Sequence, residues 1–165
     1  MYLCKKQSNL KDIFLVTPPF TQLNTPYPAT AYLKGFLNTK EITAFQMDLG
    51  IETLLKLFSK NSLQQIFKTA EEKNSIVSEN SKRIFALRAA YLKNIDVVLR
   101  FLQGKNPTLA RLICTDNYLP EASRFEQIDD MEWAFGAMGM QDKAKHLATL
   151  FLEDLSDFII ECIDS

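Results

Sequence analysis

A short apolar run near the N-terminus limits what the first fifty residues can form. Residues Asp12 to Val16 (DIFLV) are followed at once by Thr17-Pro18-Pro19. The run is too short for a helix and its Ile, Phe and Val are typical of a buried β-strand. Four of the six prolines fall between residues 17 and 28. Because proline fixes φ and has no N–H, we predict a stiff, irregular loop there.

The next twenty residues predict a helix and then a second strand. From Pro28 onward, apolar residues recur at helical spacing until Asn38-Thr39-Lys40. Gly35 inside this helix predicts close packing against a sheet. Residues 42–47 (ITAFQM) alternate as a strand that ends at Asp48. A right-handed crossover makes the two strands parallel neighbours.

After Gly50 the pattern is helical throughout. We predict helices over residues 51–58, 63–73, 81–103, 108–114 and 141–163, and a short helix capped by Asp129-Asp130 that ends at Met138. The predicted fold is therefore mostly α, with a small β-α-β start over residues 1–50 and a helical region over 51–165. Since a stable sheet needs about three strands, we expect the domain to continue beyond residue 165. A self-contained helical bundle with a small β-edge is the alternative.

Charge and composition exclude several function classes. The chain has 19 basic and 20 acidic side chains, which argues against general nucleic-acid or membrane-surface binding. No apolar run approaches the roughly 20 residues that span a bilayer, and the first residues do not resemble a signal peptide. We therefore expect a cytoplasmic protein. Three cysteines, at positions 4, 114 and 162, are too far apart to predict a disulfide framework or a metal site.

Candidate binding residues follow the two strands. Thr17, Thr21, Asn24 and Thr25 supply uncharged hydrogen-bonding groups beyond the carboxyl end of the first strand, where ligands of open α/β sheets gather. Asp48 ends the second strand, where an acidic residue bonds a ribose hydroxyl in nucleotide-binding folds or caps the next helix. No glycine-rich phosphate motif is present. These five residues are the candidate cofactor-binding set, and a proline-stiffened connection is the alternative.

No catalytic or metal-binding residue is predicted. The single histidine, His146, has Asp142 four residues before it, which is typical of a surface pair on a helix. Basic residues dominate between Lys82 and Arg111, and acidic residues dominate from Asp116 onward. The two regions either face each other or form solvated surfaces.

Four segments of the N-terminal region resemble a known family. They are Ile13–Phe20 (IFLVTPPF), Asn24–Ala29 (NTPYPA), Tyr32–Leu37 (YLKGFL) and Met47–Gly50 (MDLG). Together they resemble the N-terminus of radical S-adenosylmethionine Fe–S oxidoreductases that carry a cobalamin-binding-type domain. In that family the first strand ends in a Pro-Pro pair, a helix with a Tyr-Leu signature follows, and the second strand ends in Asp. The resemblance covers residues 12–50, and the helical remainder resembles an insertion found in some members. It implies that residues 1–50 form a partial flavodoxin-like (Rossmann-type) unit, the start of a cobalamin-binding-like domain, followed by a helical bundle.

The resemblance implies cofactors that lie outside this chain. It implies a downstream barrel in which a Cys-x3-Cys-x2-Cys triplet holds a [4Fe–4S] cluster beside S-adenosylmethionine. The Asp-x-His-x-x-Gly motif that supplies a lower ligand to cobalamin would fall in the loop of residues 17–28, which has no Asp, His or Gly. Cobalamin would therefore bind without a histidine ligand, or the domain has lost it.

Two functions of different classes follow. The first is an N-terminal, non-catalytic part of such an oxidoreductase that packs on or gates the downstream barrel, with the downstream domains as its partners. The second is a stand-alone helical module for protein interaction or regulation. An exposed apolar patch over residues 147–163 would fit either. A homodimer of the isolated chain would be an artefact of apolar faces left uncovered. Open sheet edges favour the first function, and a closed helical cover favours the second.

Overall fold

The computed structural model describes residues 12–19, 28–127 and 139–164. The chain forms two compact units, of which the first ends at Leu57 and the second begins at Phe58. The first unit contains β1 (Ile13–Thr17), α1 (Ala29–Thr39), β2 (Ala44–Asp48) and α2 (Leu49–Leu57). The second contains α3 (Lys60–Lys73), α4 (Glu79–Ala86), α5 (Arg88–Leu102), α6 (Ala110–Ile113) and α7 (Gly139–Asp164), with 3₁₀ turns at Pro107–Leu109 and Ser123–Gln127. The predicted helix over residues 129–138 lies outside the described residues.

The strands β1 and β2 pair in parallel, which confirms the predicted parallel pairing. Their register runs from Ile13 opposite Ala44 to Thr17 opposite Asp48. The helix α1 packs on one face of this sheet, where Gln46 Nε2 donates a hydrogen bond of 2.9 Å to Thr30 Oγ1. Within the described residues the sheet has two strands. The fold is thus mostly helical with a small β-α-β start.

Gly35 does not make the close contact that its position in α1 predicts. It is exposed, and a Cβ built on it would meet no atom within 4 Å. The outer side of α1 also carries three large apolar residues with high exposure: Tyr32 (77%), Leu33 (51%) and Phe36 (59%). A sheet of two strands is too narrow to cover a broad helix face, so the apolar pattern of α1 overstates its burial.

The second unit has a complete hydrophobic core. It is formed by residues from α3, α4, α5, α6 and α7: Leu63, Phe67, Ile84, Tyr91, Ile95, Val98, Phe101, Ile113, Phe151, Leu155 and Phe158. Phe158 contacts Phe67 with ring centroids 4.9 Å apart, and Phe151 stacks on Tyr91 at 5.0 Å. An exposed patch over residues 147–163 would fit either function, but Phe151, Leu155 and Phe158 on the apolar side of α7 are buried in this core. In that segment Ile160 and Ile163 are the large apolar residues with high exposure.

The predicted single helix over residues 81–103 is two helices. α4 ends at Ala86 and α5 begins at Arg88, with Leu87 between them at φ −90° and ψ 7°. Arg88 stabilises this break, because its Nη1 donates to the Phe85 carbonyl at 3.0 Å and its guanidinium lies 4.3 Å from the Phe85 ring centroid. The apolar spacing continues across the break, so periodicity alone does not reveal it.

Side-chain caps explain where α3 and α4 begin. Ser59 and Ser78 accept hydrogen bonds from the backbone N–H groups three residues later, Ser62 and Ser81. Both helices therefore begin earlier than predicted, α3 three residues before Leu63 and α4 two residues before Ser81. None of the helices in the described parts of the chain is long and apolar enough to cross a membrane.

Candidate functional site

The structure brings two of the five predicted binding residues together. Thr17 and Asp48 lie opposite each other at the carboxyl ends of β1 and β2. Thr17 is buried, and the Asp48 carboxylate accepts a hydrogen bond of 3.1 Å from the Ile51 N–H in the first turn of α2. Asp48 thus makes the helix-capping contact that was the alternative to ribose binding. Thr21, Asn24 and Thr25 lie outside the described residues.

Among the described residues, this sheet end presents a buried hydroxyl and a carboxylate that already accepts a hydrogen bond from a backbone amide. Across residues 12–19, 28–127 and 139–164, no three His, Cys, Asp or Glu side chains are grouped so as to hold a metal ion. In the predicted pair of Asp142 and His146, the Asp142 carboxylate lies 3.5 Å from Lys145 Nζ.

The two described cysteines are not activated thiols. Burial raises the pKa of Cys114, although the nearby Lys143 ammonium opposes this shift. Burial also raises the pKa of Cys162. Since the thiolate is the reactive form, a raised pKa suppresses nucleophilic chemistry at neutral pH.

An exposed apolar face on the sheet is the main feature that the sequence analysis missed. Phe14 lies opposite Phe45, and Val16 lies opposite Met47. Because side chains alternate along a strand, all four lie on one face, opposite the face where Gln46 contacts α1. Their exposures are 55%, 51%, 40% and 39%. We call these four residues the bare sheet face. The alternation of apolar and polar residues in β2 indicates this face, but the sequence analysis interpreted it only as evidence for a strand.

A buried carboxylate organises the irregular segment before the 3₁₀ turn at Ser123. Asp154 on α7 is fully buried and accepts hydrogen bonds from the backbone N–H groups of Ala122 at 3.3 Å and Arg124 at 3.2 Å. The Arg124 guanidinium binds both oxygens of Asp157, at 2.9 and 3.0 Å. Burial raises the pKa of Asp154, and the two backbone hydrogen bonds oppose that shift. These contacts hold the segment on α7.

The Tyr91 hydroxyl is a buried polar group beside this carboxylate. It has no hydrogen-bond partner of acceptable distance and angle in the described structure. Burial raises the pKa of Tyr91, and the charge of Asp154 adds to the shift. The phenol therefore stays neutral, and it serves the core through its stacking on Phe151.

A second carboxylate of α7 caps α4 from a distance in sequence. Glu161 Oε1 accepts from the N–H groups of Val77 and Ser78, at 2.7 and 2.9 Å. Its Oε2 accepts from the hydroxyls of Ser78 and Ser81, at 2.6 and 2.9 Å. Partial burial opposes ionisation, but these four hydrogen bonds outweigh it and lower the pKa of Glu161 to about 2. We call this arrangement the Glu161 clamp.

Two cavities of the helical unit show no catalytic constellation among the described residues that line them. One of about 540 Å³ lies at the break between α4 and α5 and is lined by Arg83, Leu87, Ala90, Tyr118 and Pro120, among others. Arg83 is already paired with Glu126 at 2.9 Å. This ion pair joins one residue of the basic region to one residue of the acidic region, and both side chains are largely exposed (47% and 66%), so it fits both interpretations of the charge pattern. A second cavity of about 340 Å³ contains Cys114 and Lys143.

Comparisons with protein-family models, with curated proteins and with solved structures find no match to this chain.

Proposed function

We propose that this chain is the N-terminal, non-catalytic part of a radical S-adenosylmethionine Fe–S oxidoreductase, in which the β-α-β unit packs on a downstream domain. The observation that carries the proposal is the bare sheet face: four apolar side chains in register, about half exposed, on a sheet with two described strands. The family resemblance of residues 12–50 supplies the identity of the partner.

Covering the bare sheet face would be energetically significant. Half-exposed aromatic and aliphatic side chains of this size present about 100 Å² each or less, so the face offers roughly 300–400 Å². At about 25 cal/mol per Å², full burial contributes on the order of 8 kcal/mol before the costs of ordering and desolvation. Soluble proteins rarely leave aromatic residues clustered in this way without a partner.

The proposed role leaves the chemistry to the downstream domain. Neither Cys114 nor Cys162 belongs to a Cys-x3-Cys-x2-Cys pattern, and Cys4 does not either, so this chain does not supply the [4Fe–4S] ligands. The loop of residues 17–28 has no histidine for cobalamin. In this proposal the chain shapes access to the catalytic barrel in a cytoplasmic enzyme.

A stand-alone helical module is the second candidate function. One observation favours it: the unit that begins at Phe58 has its own closed core, with Tyr91, Phe151 and Phe158 all 0% exposed. Such a unit is able to fold without a neighbour. It does not account for the bare sheet face of the first unit.

Sequencing the native reading frame beyond codon 165 separates the two candidates. The oxidoreductase proposal expects the frame to continue and to encode Cys-x3-Cys-x2-Cys downstream. A stop codon after Ser165 would reject that proposal and leave the helical module as the better account. If the triplet is present, cobalamin binding by the purified full-length protein is measured next by its visible absorption.

A further inference from the structure

The cavity at the break between α4 and α5 has a wall that is held in place by buried polar side chains. This wall is the irregular segment of residues 117–121. Asn94 Nδ2 donates a hydrogen bond of 3.2 Å to the Tyr118 carbonyl, and the Asp154 carboxylate accepts from the Ala122 N–H directly after the segment. Asn94 is 6% exposed and Asp154 is 0% exposed. Because both anchors are buried, the cavity is preformed, as small-molecule sites usually are.

Most of the residues that line this cavity are apolar. Ala86, Leu87 and Ala90 come from the helices, and Leu119 and Pro120 come from the irregular segment. Leu119 and Pro120 are both buried, so their positions are fixed by packing. The volume of about 540 Å³ lies within the range of roughly 300–1,000 Å³ that is typical of small-molecule sites. The lining therefore fits the apolar group of a small molecule.

Two side chains of opposite charge also line the cavity, Arg83 and Glu121. Arg83 Nη1 donates to Glu126 Oε1 at 2.9 Å, and because a guanidinium has five N–H donors this contact leaves others for a second anion. The two side chains of this pair are 47% and 66% exposed, and ion pairs with that exposure contribute little to stability. Within the described ranges no cation is paired with Glu121.

The charges and the apolar wall together define the chemistry of a ligand. An acid without an amino group would pair with Arg83 but would be repelled by Glu121, and an amine without a carboxylate would meet the reverse situation. We propose that the cavity binds a zwitterionic α-amino acid with an apolar side chain. Arg83 binds its carboxylate and Glu121 binds its ammonium group. The apolar side chain packs against Leu87, Ala90 and Leu119. This site goes beyond the proposed function, because it lies within the helical unit and does not depend on the bare sheet face.

Three small molecules that share one aromatic ring test the proposal in the 165-residue chain. L-phenylalanine carries both charges, phenylpropionate lacks the ammonium group and phenylethylamine lacks the carboxylate. Amide NMR titration locates binding through the shifts of Ala90 and Tyr118, with Lys143 in the second cavity as the internal control. We expect L-phenylalanine to bind with a Kd of about 1 mM or below. Each analogue should bind at least about tenfold more weakly, because it loses one charged contact and leaves the other charge unmatched.

Two variants and a matched control assign the charged contacts. Arg83→Gln should weaken the binding of L-phenylalanine at least about tenfold. Glu126→Gln removes the same ion pair but keeps the guanidinium, so it should leave the Kd within about twofold or lower it. Glu121→Gln should weaken L-phenylalanine about tenfold and should leave phenylpropionate unchanged or bound more tightly, because it removes a repulsive charge. Far-UV circular dichroism checks the fold of each variant. If Arg83→Gln does not fold, Glu121→Gln with the analogues still decides the matter.

Several results would overturn the inference. The first is the absence of a saturable shift with L-phenylalanine up to about 20 mM. The titrated chain contains all of its segments, so a cavity that residues 128–138 or another part of the chain fills would give this result. Equal affinity for phenylpropionate, shifts centred on Lys143, or equal effects of Arg83→Gln and Glu126→Gln would also overturn it. None of these results bears on the oxidoreductase proposal, which the reading frame tests separately.

Discussion

The two units of this protein differ in how far their aromatic side chains are buried. In the helical unit, the five helices of the described residues surround a core in which Tyr91, Phe151 and Phe158 are fully buried. In the β-α-β unit, the described buried residues are small or polar (Thr17, Thr30, Ala44 and Gly50), while the described aromatic side chains are about half exposed or more. Both units have apolar sequences, so apolar content does not decide burial. What decides it is the presence of enough neighbouring elements to cover each apolar face.

The largest expected effect compares matched phenylalanines in the two units. Phe158→Ala removes a ring that is 0% exposed and contacts Phe67. We expect it to lower the free energy of unfolding by about 3–5 kcal/mol. Phe45→Ala removes a ring that is 51% exposed, and we expect a loss below about 1 kcal/mol. Urea unfolding of the 165-residue chain, followed by far-UV circular dichroism, measures both. Equal losses would remove the distinction between the units.

The Glu161 clamp gives the helical unit a specific response to acid. The folded-state pKa of Glu161 is lowered from 4.5 to about 2. A lowered carboxyl pKa stabilises the fold above its unfolded value, and this stability is lost as the pH falls from about 4.5 to about 2. Because the carboxylate is largely solvated, we expect Glu161→Gln to cost about 1–2 kcal/mol at pH 7 and less than that at pH 2.

Glu153→Gln is the matched control for the Glu161 clamp. Glu153 is on the same helix, but its carboxylate lies 3.9 Å from Arg124 and both side chains are nearly half exposed. Its substitution should change stability by less than about 0.5 kcal/mol. Thermal unfolding of both variants between pH 2 and pH 7 measures the effect. If the thermal stability of Glu161→Gln depends on pH in the same way as that of the wild type, the clamp does not stabilise the helical unit.

Asp154 has the opposite sign of pH dependence. Burial raises its pKa in the folded state, so its contribution to stability is complete below the unfolded pKa and is lost as the pH rises through the folded value. We expect the difference in stability between the wild type and Asp154→Asn to shift in favour of the variant as the pH rises. Urea unfolding at a series of pH values from 3 to 7 tests this, and a shift toward the wild type would contradict it.

The smallest expected effect concerns glycines. A Cβ at Gly35 meets no atom within 4 Å and the residue is inside α1, so Gly35→Ala should stabilise by about 0.5–1 kcal/mol. Gly104 also has open space, but its φ of +72° is unfavourable for alanine. Gly104→Ala should therefore destabilise by about 1 kcal/mol. Thermal unfolding of the two variants compares them, and a loss of stability in Gly35→Ala would place an undetected neighbour against α1.

Local sequence patterns predicted the strands and the helix of the β-α-β unit, but they did not predict how far the side chains of these elements are buried. The apolar run of residues 12–16, the prolines and the second alternating segment give β1, α1, β2 and their parallel pairing. The same patterns say nothing about how many strands lie beside β1, so the half exposure of Phe14 and Phe45 was not predicted. Gly35 was misread for the same reason, because its interpretation assumed a sheet wide enough to cover α1.

Polar contacts between residues that are far apart in the sequence could not be predicted from local motifs. Glu161 and the Ser78 hydroxyl are 83 residues apart and no local motif joins them. Asp154 belongs to the acidic region, for which a solvated surface was one of the two interpretations, but it is 0% exposed. Asp48 was predictable as one of two alternatives, since an acid between a strand and a helix is suited to both capping and ligand binding. The structure shows the capping contact with Ile51.

Native-state hydrogen exchange of the 165-residue chain tests most directly whether the β-α-β unit is incomplete by itself. We predict that the amides of β1 and β2 exchange through openings that cost about half the global free energy or less, while those of Phe151 to Phe158 in α7 exchange only on global unfolding. Weak protection of β1 and β2 would agree with a unit whose sheet needs further strands and whose bare sheet face needs a partner. Equal protection of β1 and α7 would contradict it, because the two-stranded sheet would then be stable without a partner.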